Sequence, residues 1–177
     1  MQTLSEYIDI FIRLSAVYVL LFLFFILNII SISTPVAMAM DIPFIVMVFY
    51  YWSIYRPTLI PPVLVFIIGI CYDLLSGWPV GLNALILLTL RHNVSSQRLF
   101  MTGQQFIVVW LGYTFVSAVA LFLQWGCFGL LRLNWSAVEP ILTSWTFGVF
   151  LFPVVSVILH LSHKMLPEIQ GQYSAVK

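Results

Sequence analysis

The histidines and the acidic residues are the candidate catalytic side chains of this chain. His160 and His163 are three residues apart and would share one face of a helix, a spacing at which two imidazoles can bind one metal ion. Lys164 follows directly, so we interpret the pair, like His92, as part of a solvated basic end. The sequence motifs of zinc proteases, serine hydrolases and phosphate-binding loops are absent. We therefore expect no enzymatic activity, no metal and no cofactor.

Asp73 is an acidic residue flanked by apolar sequence on both sides. Ionisable residues inside membrane segments are functional candidates by default. Arg56 is a conceivable partner, but seventeen residues of helix would separate the two side chains by about 25 Å. We expect Asp73 to be held instead by the amides of the turn at 76–79, by the N-terminus of helix 4, or by Arg132. A structural capping role is favoured, and partner or ligand binding stays open.

Apolar tracts make up most of the chain that positions these residues. Of its 177 residues, 62% are hydrophobic and 7% are charged, and the mean hydropathy is +1.08. This exceeds what the core of a soluble protein needs, so we predict an integral membrane protein with an all-α fold and a single membrane domain over 1–177. About six transmembrane helices are predicted, at approximately 14–33, 42–55, 59–75, 79–91, 102–126 and 140–163.

Helices 2 to 4 are predicted to be short. The uncharged tracts that contain them hold 14, 16 and 17 residues, and the middle tract reaches only about 24 Å of a hydrocarbon core of about 30 Å. Pro57, Pro61 and Pro62 predict a tight hairpin before helix 3, and Ser76–Pro79 predicts the opposite turn. We expect helices 2 to 4 to form a compact serial unit. Whether each of them spans the bilayer completely stays open.

The basic residues predict the orientation of the chain. With a cytoplasmic N-terminus and six crossings, only Arg132 falls outside, and the basic residues that fall inside are Arg13, Arg56, Arg91, Arg98, Lys164 and Lys177. Such a bias is typical of cytoplasmic loops, so we predict that both termini are cytoplasmic. Tyr50, Tyr51, Trp52 and Tyr55 predict an aromatic belt at that interface.

The connections are short and carry little charge. Arg91 and Arg98 bound the most polar one, and we expect them to contact cytoplasmic partners or anionic membrane lipid. The net charge of +1 argues against a nucleic-acid partner, which requires clustered basic residues. A chain of this kind acts through its helix surfaces and its short loops.

Residues 41–90 carry a pattern that resembles the rod shape-determining protein MreD family of the bacterial inner membrane. The residues of the pattern are Pro43, Tyr51, Trp52, Pro57, Phe66, Gly69, Asp73, Leu74, Gly77, Pro79, Gly81 and Asn83. The Arg56-Pro57 hairpin resembles one branch of that family. Outside 41–90, only length, helix count and topology are similar. The resemblance implies structural or partner-docking roles for these motif residues and for Arg56.

The resemblance also implies a function. Similar proteins are non-enzymatic components of the cell-elongation machinery, and they work beside the bitopic protein MreC, the MreB filament, the glycosyltransferase RodA and its transpeptidase. The expected role is a membrane scaffold that maintains rod shape by organising lateral peptidoglycan synthesis. The alternative is the substrate-binding subunit of a vitamin importer, because such subunits have a similar six-helix fold. Those carriers typically have Ala-x-x-x-Ala in helix 1, and Ala16–Ile32 contains no such pair.

Overall fold

The computed structural model describes residues 4–33, 43–132 and 137–164, and this part of the chain is all-helical. It holds seven helices and no strand, which confirms the all-α prediction. The helices are α1 (Leu4–Ser33), α2 (Phe44–Tyr55), α3 (Pro62–Ser76), α4 (Leu82–Ser96), α5 (Arg98–Thr102), α6 (Phe106–Arg132) and α7 (Glu139–Lys164).

Several helix boundaries differ from the predicted ones. Helix α1 already includes Leu4 rather than beginning at 14, since no proline or glycine interrupts its first turns. Helix α4 covers Leu82–Ser96 instead of 79–91, because Gly81 has a φ of 95° and the polar residues after Arg91 continue the helix. The segment predicted as one helix at 102–126 is divided between α5 and α6 near Gly103, and α6 continues to Arg132.

Three long helices, three short ones and the five-residue α5 make up the bundle. At 1.5 Å per residue, α1, α6 and α7 are about 39 to 45 Å long, whereas α2, α3 and α4 are about 18 to 22 Å. Helices α6 and α7 are long and apolar enough to cross a membrane. Only 22% and 28% of their most apolar windows are buried, unlike the enclosed core helices of a soluble protein.

Helix α2 lies at the centre of the bundle. Nine of its twelve residues are buried, and it contacts α1, α4, α5, α6 and α7. A helix that is apolar on all sides can be enclosed in this way. Tyr50, Tyr51 and Trp52 therefore pack against protein, so the prediction of an interfacial aromatic belt is wrong for them. Within the expected serial unit, α3 and α4 form a close hairpin, and α2 packs against α4 as well as against the long helices.

Among the side chains that the structure describes, the two ends of the bundle carry different charges. The hydroxyl of Tyr18 on α1 donates to the carbonyl of Leu59, and Arg91 of α4 reaches the same turn. His163 stacks on Trp52 near Arg56, which follows α2. We call the end of the bundle that contains Arg56, Arg91 and His163 the basic end. Asp73 lies at the opposite end, as does Glu139, which begins α7 about 36 Å from His163.

Candidate functional site

Asp73 is completely buried where α3 meets the start of α4. Its Oδ2 accepts a hydrogen bond from the amide of Gly81 at 2.8 Å. Its Oδ1 accepts from the amide of Asn83 at 3.1 Å and from the Asn83 side-chain Nδ2 at 2.7 Å. We call this group of three residues the Asp73 cap. The carboxylate thus binds the backbone amides that the first turn of α4 leaves without helical partners.

The local sequence produces this arrangement through two glycines and a proline. Gly77 ends α3 in the left-handed region with a φ of 69°, and the carbonyl of Asp73 accepts from the amides of Gly77 and Trp78. Pro79 shapes the turn, and its carbonyl accepts from the first amide of α4. Gly81 then has a φ of 95°, which a residue with a side chain rarely adopts. Helix α4 has no capping side chain of its own, so Asp73 supplies the acceptor.

The position of Asp73 explains how a buried carboxylate is tolerated. The C-terminus of α3 disfavours negative charge, while the N-terminus of α4 favours it. Three hydrogen bonds from amides further offset the cost of removing the carboxylate from water. Of the partners expected from the sequence, the N-terminus of α4 is confirmed. The amides of Gly77 and Trp78 bind the backbone carbonyl instead, and the side chain of Arg132 lies outside the described part of the chain.

Gly69 permits α3 and α4 to touch one turn further from the cap. A Cβ atom added at Gly69 would lie 2.8 Å from the backbone nitrogen of Ala84 and 2.9 Å from its Cβ. Both distances are too short for real atoms, so only glycine allows this backbone approach. The Gly69 contact and the Asp73 cap together hold the hairpin at the Asp73 end.

Arg91 holds the other end of the same hairpin. Its Nε donates to the carbonyl of Ile60 at 2.6 Å, and its Nη2 donates to the carbonyl of Pro57 at 3.3 Å. A turn rich in proline has few amides, and buried carbonyls need donors, which the guanidinium supplies. The sequence led us to expect a cytoplasmic partner for Arg91, but its guanidinium is engaged by the backbone of its own chain. No local signal marks this contact, because 31 to 34 residues separate the groups.

Arg56 and Arg98 also lie towards the basic end. Arg56 is half-buried directly after α2. Arg98 is half-buried at the start of α5, and its expected contact with cytoplasmic partners stays a prediction. The side chains of Arg13 and Lys164, and the whole of Lys177, lie outside the described part of the chain.

The start of helix α2, like the start of α4, is capped by a side chain from a neighbouring helix. Its N-cap residue Pro43 provides no capping side chain, and Oδ1 of Asn28 on α1 accepts from the amide of Ile45 at 3.2 Å. Pro43 packs against Gly148 of α7, where an added Cβ would lie 3.2 Å from the proline ring. Asn28 is 17 residues from Ile45 in the sequence. Its spacing from Ile45 gave no sign of the contact, which only the fold brings about.

The remaining motif residues divide between the interior and the surface. Trp52 is enclosed, with Tyr51 edge-on at 5.4 Å and the ring of His163 stacked at 6.0 Å. Phe66 and Leu74 of α3 point away from the bundle and are exposed. The residues that the structure joins in one hairpin are Gly69, Asp73, Gly77, Pro79, Gly81 and Asn83.

The histidine pair does not form a metal site with its described surroundings. The rings of His160 and His163 are stacked, with centroids 6.5 Å apart and planes at 12°, so their nitrogens do not converge. Nδ1 of His160 instead lies 3.5 Å from the hydroxyl of Tyr51. Within the described residues, no group of three or more histidine, cysteine, aspartate or glutamate side chains could hold a metal ion.

No family model, curated protein or solved structure matches the chain. The resemblance within 41–90 therefore rests on the motif residues alone.

Proposed function

We propose that this chain is a non-enzymatic scaffold of the bacterial cell-elongation complex, similar in role to the MreD family. The observation that carries the proposal is the α3–α4 hairpin. Gly69, Asp73, Gly81 and Asn83, which carry the resemblance, are joined there in one set of contacts. These contacts join groups of the chain itself and hold two short helices in a defined geometry. A rigid helical surface is what a scaffold needs.

We place the protein in the inner membrane as a multi-pass chain with about six crossings. Support comes from α6 and α7, which are long, apolar and largely exposed. The covered starts of α2 and α4 also support it, since lipid cannot satisfy free amides. Arg56 and Arg91 share the basic end, which favours a cytoplasmic location for both termini. The short helices reach across by local thinning of the bilayer or by burial against longer helices.

The partners would meet two different surfaces. The outer face of the hairpin carries exposed apolar side chains, among them Phe66 and Leu74, and suits the transmembrane helices of an MreC-like protein, of RodA and of its transpeptidase. The basic end, with Arg98, faces the side on which an MreB-like filament assembles. The scaffold acts by holding these partners at fixed positions while they insert peptidoglycan into the side wall.

A vitamin-carrier function has less support from the described residues. Carriers bury most of a small ligand in a closed pocket with convergent polar groups. The cavity of about 310 Å³ between α4 and α6 is an open groove, and its α4 wall offers only the uncharged polar side chains Thr89, Asn93 and Gln97. We therefore do not advance it as a second function.

Co-purification with the MreC-like protein of the same bacterium tests the proposal. Val80 is exposed at the tip of the α3–α4 turn, so Val80→Glu changes the surface without disturbing the core. We expect the wild type to recover the partner, and the variant to recover about fivefold less, as for an interface residue worth about 1 kcal/mol. Val138→Glu, exposed before α7 at the same end of the bundle, is the matched control.

The possible results of this experiment distinguish a failure of the proposed function from a failure of the docking role of the α3–α4 turn. Failure of the wild type to recover any elongation protein would contradict the proposed function. Recovery that is equal for the wild type and Val80→Glu would contradict only the docking role of the turn.

A further inference from the structure

A small cavity lies inside the bundle beside the Asp73 cap. Its volume is about 30 Å³, and its walls come from α1, α2, α3, α4 and α6. The polar side chains in these walls come from four different helices, and they are Asn28, Tyr72, Asn83 and Gln124. The first three are buried, and Gln124 is half-buried. We call this space the polar cavity.

The orientation of the Asn83 amide follows from its contact with Asp73. An ionised carboxylate only accepts hydrogen bonds, so the Nδ2 group of Asn83 must face it, and the two groups are 2.7 Å apart. The Oδ1 atom of Asn83 is on the other branch of the same amide and therefore points away from the carboxylate. No described group donates a hydrogen bond to this oxygen. Asn83, which lines the polar cavity, thus offers it an acceptor.

The Asn28 amide has the opposite orientation. The backbone amide of Ile45 can only donate, so Oδ1 of Asn28 faces it at 3.2 Å, and the Nδ2 donors lie on the other branch. Gln124 carries both a donor and an acceptor, and no described group hydrogen-bonds to its side-chain amide. The hydroxyl of Tyr72 can donate or accept. Donors and acceptors from four helices therefore surround the polar cavity.

The volume and the lining of the polar cavity select water as the occupant. A water molecule requires about 15 Å³ and two to four polar partners, so about 30 Å³ holds one or two molecules. An organic ligand is too large for this space. A buried polar group without a partner is costly, and lipid cannot supply one, so water stabilises these amides inside a membrane protein.

A second cavity, between α1, α2 and α3, has a different lining. Its volume is about 10 Å³, and the described side chains that line it are all apolar, among them Leu21, Phe24 and Val48. Such a cavity is at the lower size limit for water and offers it no hydrogen bond, so we expect it to stay dry. We call it the apolar cavity.

We propose that the polar cavity is a binding site for one or two ordered water molecules, which hydrogen-bond to Asn28, Asn83 and Gln124. Asn28 caps α2, and Asn83 belongs to the Asp73 cap of α4. The water therefore connects the starts of both short helices to α6. The site is a property of the fold, so it goes beyond the proposed function and does not depend on it.

Water-selective NMR of the protein in deuterated detergent, with labelled leucine and valine methyl groups, tests this site. The methyl groups of Leu87 line the polar cavity and those of Val48 line the apolar cavity, and both side chains are buried. We expect a nuclear Overhauser cross-peak from water to Leu87, with the sign of a molecule that tumbles with the protein. We expect no such cross-peak to Val48.

Filling the polar cavity should remove the water signal. Leu121→Phe fills it from α6 and Val46→Phe fills it from α2. Cross-peaks from the new ring to Leu87 identify the variants in which the ring occupies the cavity, and these should lose the water cross-peak. Leu123→Phe, exposed on the same helix as Leu121, is the matched control and should retain it. Two filled variants keep the test decisive if one of them fails to fold.

Tyr72→Phe separates bound water from the hydroxyl of Tyr72, whose exchanging proton would give a similar signal at Leu87. This variant should keep the water cross-peak, because Asn28, Asn83 and Gln124 still bind the water.

Any of four results would overturn the water site. These are a missing wild-type cross-peak at Leu87, an equal cross-peak at Val48, loss of the signal in folded Tyr72→Phe, and its persistence in a filled variant. Replacing sodium chloride by choline chloride adds a further check. A shift of the Leu87 methyl resonances in that exchange would assign the polar cavity to a cation and would also overturn the proposal.

Discussion

Asp73 combines full burial with three hydrogen bonds to its carboxylate. A buried carboxylate without partners is costly, and here each oxygen faces at least one amide at the start of α4. The side chain therefore contributes to the geometry of the hairpin. This is why we assign it to structure within the scaffold rather than to chemistry.

Replacing Asp73 should destabilise the protein in a graded way. Asp73→Ala leaves the buried amides of Gly81 and Asn83 unpaired, and we expect the free energy of unfolding to fall by about 3 kcal/mol. Asp73→Asn keeps one acceptor oxygen but sets an NH₂ group against one of these donors, and should cost about half as much. Denaturant unfolding in detergent micelles measures both. Glu139→Gln, at an exposed acid, should stay within about 0.5 kcal/mol, and an equal loss in all three variants would contradict the cap.

Gly69 offers a test that changes one methyl group. Gly69→Ala forces α3 away from Ala84, and we expect a loss of about 1 to 3 kcal/mol in the free energy of unfolding. Gly126→Ala is the matched control, because an added Cβ in that part of α6 meets no other atom within 4 Å. Alanine is the better helix former, so the control should be neutral or slightly stabilising. Similar effects of the two substitutions would show that α3 and α4 do not approach closely.

At the scale of elements, α2 and α4 begin without capping side chains of their own and receive them from the preceding helices. Asn28 of α1 serves α2, and Asp73 of α3 serves α4. Arg91 of α4 is a third such contact between elements, since it donates hydrogen bonds to carbonyls of the turn between α2 and α3. The position of each short helix is thereby tied to its neighbours by hydrogen bonds as well as by packing.

Arg91 should therefore control the order of the turn before α3. Arg91→Gln removes the charged donors to Pro57 and Ile60, and we expect a loss of about 2 kcal/mol in the free energy of unfolding. Amide hydrogen exchange of residues 58–60 should become faster, since the turn loses its link to α4. Arg98→Gln, at the start of α5, should leave both quantities unchanged. Unchanged exchange in the Arg91 variant would contradict the contact.

The sequence predicted the elements better than their arrangement. Apolar tracts identify the helices. Pro57 and Pro61 mark the turn before α3 because proline restricts the backbone, and Gly77 marks the turn after it because glycine permits the left-handed conformation that ends the helix. The central place of α2 was not predictable, since a helix that is apolar on all sides suits lipid as well as a protein interior. The contact of Arg91 was missed for a different reason: it depends on how α4 packs beside the turn.

At the scale of the whole molecule, the separation of charge between the two ends predicts the orientation. Arg56 and Arg91 share one end with both described histidines of α7, and Asp73 and Glu139 lie at the other. A C-terminal fluorescent-protein fusion should be bright and a C-terminal alkaline phosphatase fusion inactive, because the basic end stays in the cytoplasm. Truncation after Val138 should give the opposite pair of signals. An active phosphatase on the full chain would contradict the orientation.

The central claim concerns cell shape, and depletion of the protein in its own bacterium tests it most directly. Cells would be imaged during depletion with a fluorescent label for new peptidoglycan, and a wild-type copy would be supplied as the control. We predict that depleted cells become round and swollen, with wall synthesis no longer confined to the side wall, and that the copy restores rods. Normal rods that require an added nutrient would contradict the scaffold function and favour a carrier.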